Sequence, residues 1–153
     1  MLKQGTTAPD FEATLDDGTP FKLSQALADR AVVLYFYPRD FTPGCTRQAC
    51  AFRDNFEAIT EAGATIIGVS TDSLGSHASF KDRFDLPFPL IADGNREVID
   101  AYDARGLFGI STARVTYVIA RDGLIQRTIR HDLRVDQHVP EVLEALAEIA
   151  PPT

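Results

Sequence analysis

Both cysteines of the chain lie in one short stretch, TPGCTRQAC (42–50), at Cys45 and Cys50. Thr42 and Pro43 are residue types favoured at the N-cap and first position of a helix, which puts Gly44 and Cys45 in its first turn. There the unpaired backbone N–H groups and the positive end of the helix dipole surround the Cys45 sulfur and favour thiolate over thiol. The thiolate is the reactive form, so Cys45 has the address of a nucleophile. Cys45 also begins an apolar stripe with Ala49, Phe52, Phe56 and Ile59, at steps of four and three. A small buried hydrophobe at a helix start is therefore the competing reading.

Five helical steps turn Cys50 by ~140° from Cys45. Its helical neighbours are then Thr46, Arg53, Asp54 and Glu57, a polar side where core filling explains little. A partner thiol explains Cys50 better, with a tolerated accident as the alternative. On an intact helix the two Cα atoms would stand about 8.7 Å apart, whereas a disulfide needs less than about 7 Å. The pair can close only if the first turns unwind, so the spacing suggests a site with two states. Metal binding fails on ligand count, because zinc wants four close ligands and the histidines (His77, His131, His138) lie far off without a ligand-like pair. The absence of a Cys-x-x-Cys motif argues against a general disulfide oxidoreductase of the thioredoxin type.

Several elements must position these residues. FEATLDDGTPFKLS (11–24) carries a turn signal between short β-like runs and predicts a hairpin. AVVLYFY (31–37), ended by Pro38, and ATIIGVS (64–70) are unbroken apolar runs that suit strands buried on both faces of a sheet. Between them one helix is expected from Thr42 until Gly63 stops it. Leu74, His77, Phe80 and Phe84 predict a second helix, FPLIAD (88–93) a short strand and NREVIDAY (95–102) a brief helix. VTYVIA, RDG and LIQRTI (115–129) read as an antiparallel hairpin. A C-terminal amphipathic helix carries Val139, Val142, Leu143, Leu146 and Ile149. This order implies an α/β fold, a mixed central sheet flanked by helices with an N-terminal β-hairpin extension. The cysteine helix starts just past the C-terminal end of the first buried strand, where open α/β sheets place their sites.

The chain has 153 residues, which suits a single domain (1–153). A net charge of -7 disfavours a nucleic-acid partner. No apolar run is long enough for a membrane span, and no apolar segment after Lys3 marks a secretory signal. The expected compartment is cytoplasmic, where thiols are kept reduced.

YPRDFTPGCTRQAC (37–50) resembles the active-site segment of the peroxiredoxins, most narrowly the bacterioferritin comigratory protein or peroxiredoxin Q subfamily. Pro38, Thr42 and Cys45 meet the family pattern Pro-x-x-x-Thr-x-x-Cys, and Cys50 matches the second cysteine of that subfamily. ARVTYVIARDGLI (113–125) is similar to the family's arginine-bearing strand and puts that arginine at Arg114, with Arg105 as the fallback cation. The resemblance implies a thioredoxin-like fold and an antioxidant thiol peroxidase. Cys45 would reduce hydrogen peroxide or an organic hydroperoxide and become a sulfenic acid, and Cys50 would resolve it as an intramolecular disulfide. Thioredoxin or a similar dithiol would then reduce that disulfide. No metal or organic cofactor is implied, and a monomer suffices.

The chemistry of that reaction assigns further expectations. Arg114 supplies a fixed positive charge to the sulfur and the peroxide. The Thr42 hydroxyl serves either the peroxide or the helix N-cap. Pro38 walls the pocket, the N–H groups of Cys45 and Gly44 support the reacting oxygen, and Phe41 extends an apolar rim. Arg39, Asp40 and Arg47 read as solvated charges at the mouth, and His131 and His138 as surface or helix-start residues. The alternative function is a redox-switch binding module that uses a Cys45–Cys50 disulfide without significant turnover.

Overall fold

The computed structural model describes residues 1–149. β1 (Glu12–Thr14) and β2 (Pro20–Lys22) pair antiparallel as the expected hairpin. The turn between them needs Gly18, whose φ of 86° disfavours any side chain. After α1 (Leu23–Leu27) comes β3 (Ala31–Phe36), every residue of it buried, as an unbroken apolar run requires. α2 (Pro43–Asp54) and α3 (Phe56–Glu61) lead to β4 (Ala64–Ser70), and α4 (Leu74–Phe84) to β5 (Leu90–Ala92). α5 (Glu97–Ala101) precedes the hairpin β6 (Val115–Ile119) and β7 (Ile125–Arg130), and α6 (His138–Glu148) closes the described chain.

The main sheet has the order β5-β4-β3-β6-β7. β3, β4 and β5 run parallel through helical crossovers, while β6 and β7 are antiparallel to their neighbours. One face packs Val33, Tyr35 and Ile66 against Ala49 and Phe52 of α2, Ile59 of α3, Phe80 of α4 and Val142 of α6. The other face packs Leu34, Phe36 and Val69 against Leu27 of α1 and Ile99 of α5. Among the described residues no helix is long and apolar enough to cross a membrane.

The single helix expected from Thr42 to Gly63 is two helices. It breaks at Asn55 (φ −111°, ψ 11°), whose side-chain amide and backbone N–H both donate to the Ala51 carbonyl. A side chain competing for a backbone carbonyl in this way interrupts the helical ladder. The apolar stripe survives the break, because α2 and α3 lie against the same core cluster. Gly63 ends the second helix at φ 91°, as expected.

Candidate active site

Tyr37 leaves the sheet by donating its N–H to Val69 of β4, and Pro38, Arg39, Asp40, Phe41 and Thr42 form the connection to α2. This connection lies past the C-terminal ends of the parallel strands, as the element order required. Thr42 occupies the N-cap position with extended backbone (φ −73°, ψ 149°) and Pro43 the first helical position. The Thr42 side chain does not cap the helix. Its hydroxyl donates to the Arg39 carbonyl at 2.8 Å, which leaves the oxygen's lone pairs free to accept. The first backbone bond is Thr46 N–H to Thr42 O at 2.8 Å, so the N–H groups of Gly44 and Cys45 precede the ladder.

Cys45 is buried and Cys50 half-buried, both as free thiols on an intact α2. Burial of Cys45 satisfies the core reading and the nucleophile reading alike. Arg114, just ahead of β6, donates from Nη1 to Cys45 Sγ at 3.2 Å and to Gln48 Oε1 at 3.3 Å. Its own N–H donates to Asp132 and its carbonyl accepts from His131 N–H, which ties its backbone to the segment after β7. Among the described residues no carboxylate forms an ion pair with the Arg114 guanidinium. The fallback, Arg105, is paired instead with Asp100. The expected register at Arg114 therefore places a cation on the sulfur, and the fallback does not.

Gly44 is explained by the same contact. A Cβ there would stand 2.7 Å from Arg114 Nη2 and 3.2 Å from Cζ. Phe41 takes a left-handed φ of 66° and is half-exposed, its ring set edge-on to Phe80 at 5.2 Å. Pro38 and Arg39 line an open cleft of about 390 Å³ together with Thr71, Arg96 and Ile110; Cys45 is not among its lining residues.

Two expectations are corrected. Asp40 is not a solvated charge but a buried carboxylate, 5% exposed, that accepts from the Tyr37 hydroxyl at 2.6 Å and the Ser76 hydroxyl at 2.8 Å. A loop carboxylate surrounded by donors from α4 and from Tyr37, just past β3, has no need of water. His138 starts a helix, as expected, but it is fully buried rather than on the surface. Its Nε2–H donates to the His131 carbonyl at 3.1 Å and its Nδ1 accepts from Thr116 at 2.8 Å, a neutral ring with both nitrogens satisfied. Burial chiefly pushes its pKa down to about 4. His131 is half-buried and pairs with Glu141.

Gln48 was absent from the sequence reading. It is fully buried, holds Arg114 through Oε1, and its Nε2 has no hydrogen-bond partner among the described residues. Its position three residues after Cys45, on the same helix face, was the available signal.

Residues 4–128 match the AhpC/TSA family. The chain is 40% identical to peroxiredoxin Bcp of Bacillus subtilis (strain 168), over 97% of this chain and 98% of the relative. It is 40% identical to the chloroplastic peroxiredoxin Q of Oryza sativa subsp. japonica, over 97% of this chain and 68% of the relative. The crystal structure of peroxidoxin BcpB from Mycobacterium tuberculosis superposes with a TM-score of 0.91 at 37% identity, covering 98% of this chain and 99% of that one. The fold is the thioredoxin-like fold of the peroxiredoxins.

Proposed function

Because the chain belongs to the AhpC/TSA family, in its peroxiredoxin Q/Bcp branch, we propose that its thiol peroxidase role runs through Cys45 and Cys50, in one domain that works as a monomer. The observation that carries this reading is the Arg114 Nη1 to Cys45 Sγ contact of 3.2 Å at the start of α2. The Cys45 thiolate attacks one peroxide oxygen. The O–O bond breaks, a sulfenic acid forms, and the other oxygen leaves as hydroxide or alkoxide and takes a proton. Arg114 and the N–H groups of Gly44 and Cys45 stabilise that negative charge. The Thr42 oxygen, with its lone pairs free, accepts the peroxide hydrogen and sets the line of attack. Pro38 and Phe41 border the approach to the loop.

The first turns of α2 then unwind. The Cys50 thiol attacks the sulfenic sulfur, water leaves, and the Cys45–Cys50 disulfide forms. Thioredoxin or a similar dithiol, in a cytosolic setting, reduces the disulfide by thiol exchange and is itself oxidised. No metal or organic cofactor takes part in these steps.

The test is the intact mass of reduced protein after one equivalent of hydrogen peroxide, followed by thioredoxin and its recycling system. The expected result is loss of two hydrogens, their return, and continuing peroxide consumption, all absent in Cys45→Ser. Loss without turnover would support the redox-switch module instead. No mass change would end the enzyme reading.

A further inference from the structure

A buried polar cluster lies behind the loop that leads into α2, and no step above uses it. Asp40, in that loop, meets His77 of α4 with Oδ2 to Nδ1 at 2.8 Å, and both side chains are within a few per cent of fully buried. His77 Nε2 lies 2.9 Å from the Ile91 carbonyl on β5, and a carbonyl only accepts, so Nε2 carries hydrogen. Nδ1 therefore faces a carboxylate oxygen, and the short contact holds one proton between the two groups. The other Asp40 oxygen accepts from the Tyr37 hydroxyl, a phenol that burial chiefly drives well above its ordinary range and so keeps as a donor. Ser76 of α4 also donates to Asp40, and the Asp40 backbone N–H donates to Asp72 at 2.8 Å. Asp72 in turn accepts from Ser70 at the end of β4. The loop is thus tied at one residue, two positions ahead of Thr42, directly to α4 and, through Asp72 and His77, to β4 and β5.

We propose that Asp40 and His77 form a positioning latch that fixes the Thr42 loop and keeps the start of α2 wound. The latch favours the state in which Cys45 reacts over the state in which Cys50 can reach it. The proposal rests on the two-state reading above. Neither residue touches substrate; both act through Thr42 and the helix start. The ligand-capable atoms of Asp40, Asp72 and His77 lie within 4.8 Å of one another. Each is already committed to a hydrogen bond, so the cluster serves the latch.

The hydrogen-bond pattern yields a sharp pair of variants. Asp40→Ala removes the latch. Asp40→Asn keeps it, because the amide donates to the free Nδ1 of a neutral His77 and to the Ser76 oxygen, while its carbonyl still accepts from Tyr37. Two quantities are read. The first is the single-turnover rate of hydrogen peroxide with Cys45 in the Cys50→Ser background. The second is amide hydrogen exchange of residues 46–50 in the reduced protein without peroxide. Asp40→Ala is expected to slow the first by about tenfold, as small misplacements of a positioning group do. It is expected to speed the second by about tenfold, with exchange in β3, β4 and α6 unchanged. Asp40→Asn restores both to within about twofold of wild type.

Should Asp40→Ala fail to fold, Ser76→Ala removes one bond at the half-buried rim and shifts both readouts the same way by a smaller factor. The proposal is overturned if Asp40→Ala leaves both readouts unchanged, if exchange rises equally throughout the sheet, or if Asp40→Asn matches Asp40→Ala. A wild-type protein that ignores peroxide would sink the peroxidase reading, while the exchange arm would still judge the latch.

Discussion

Gly44→Ala isolates the Arg114 contact from the folding of the helix. Gly44 has ordinary helical backbone, so an alanine meets no conformational penalty there. What excludes a side chain is the guanidinium, 2.7 Å from the Cβ position. The arginine end is flexible and retreats about 1 Å to reach ordinary contact of roughly 3.5–4.0 Å. Its contact with the Cys45 sulfur starts at 3.2 Å. At an effective dielectric of about 20, unit charges at about 3.2 and about 4.2 Å attract by about 5.2 and about 4.0 kcal/mol, a loss of about 1.2 kcal/mol. That corresponds to a roughly eightfold slower first step, and about tenfold once the directed N–H to sulfur bond is also lost. The assay is quenched-flow intact mass in the Cys50→Ser background, which counts only the first oxidation of Cys45. A melting curve runs beside it. Alanine suits a helix better than glycine, so stability should hold or rise, by about 2–4 °C. A slower reaction in a protein at least as stable cannot be misfolding. An unchanged rate in a folded variant would refute the idea that Arg114 sits on the sulfur during the reaction.

Arg114→Ala should cost the first step about 100-fold, the scale of losing a charge-stabilising donor, whereas Arg105→Ala, removing the exposed pair with Asp100 and a bond to the Gly109 carbonyl, should leave it within about twofold. The same single-turnover assay compares them, and equal losses would return the role to Arg105. Cys50→Ser should undergo one oxidation and then accumulate sulfenic or over-oxidised Cys45, read as stepwise mass gains of oxygen; disulfide-type recycling in that variant would mean another resolving thiol. His138, held at about 4 against an ordinary 6.5, makes stability depend on pH. Below 6.5 the unfolded chain binds a proton that the folded ring refuses, so stability is full above 6.5 and falls until about pH 4. The total is about 3 kcal/mol from 1.36 kcal/mol per unit. Urea unfolding of His138→Gln across that range should lack this part of the slope; identical slopes would show that His138 titrates freely in the folded protein.

The local chemistry of this chain was legible without coordinates. Strand, turn and helix signals are short-range, so AVVLYFY, ATIIGVS and the TPGC helix start announced themselves through periodicity and through residue types that suit one backbone conformation. Cys45 at a helix N-terminus behind a buried strand followed from those signals alone, and so did the core stripe shared by α2 and α3. The break at Asn55 escaped, because a side chain's bond to one carbonyl leaves no mark on hydrophobic spacing. Asp40 and His138 escaped for a related reason: a lone polar residue looks solvated until donors far along the chain converge on it. His77 is 37 residues from Asp40, and Arg114 is 69 from Cys45. Residue type and spacing thus determined which sulfur would sit at a helix start behind a buried strand. The fold decided between Arg114 and Arg105, and it alone showed why position 44 has no side chain and that a buried carboxylate anchors the loop beside it. Those contacts join segments that only the packing of the sheet and its helices brings together.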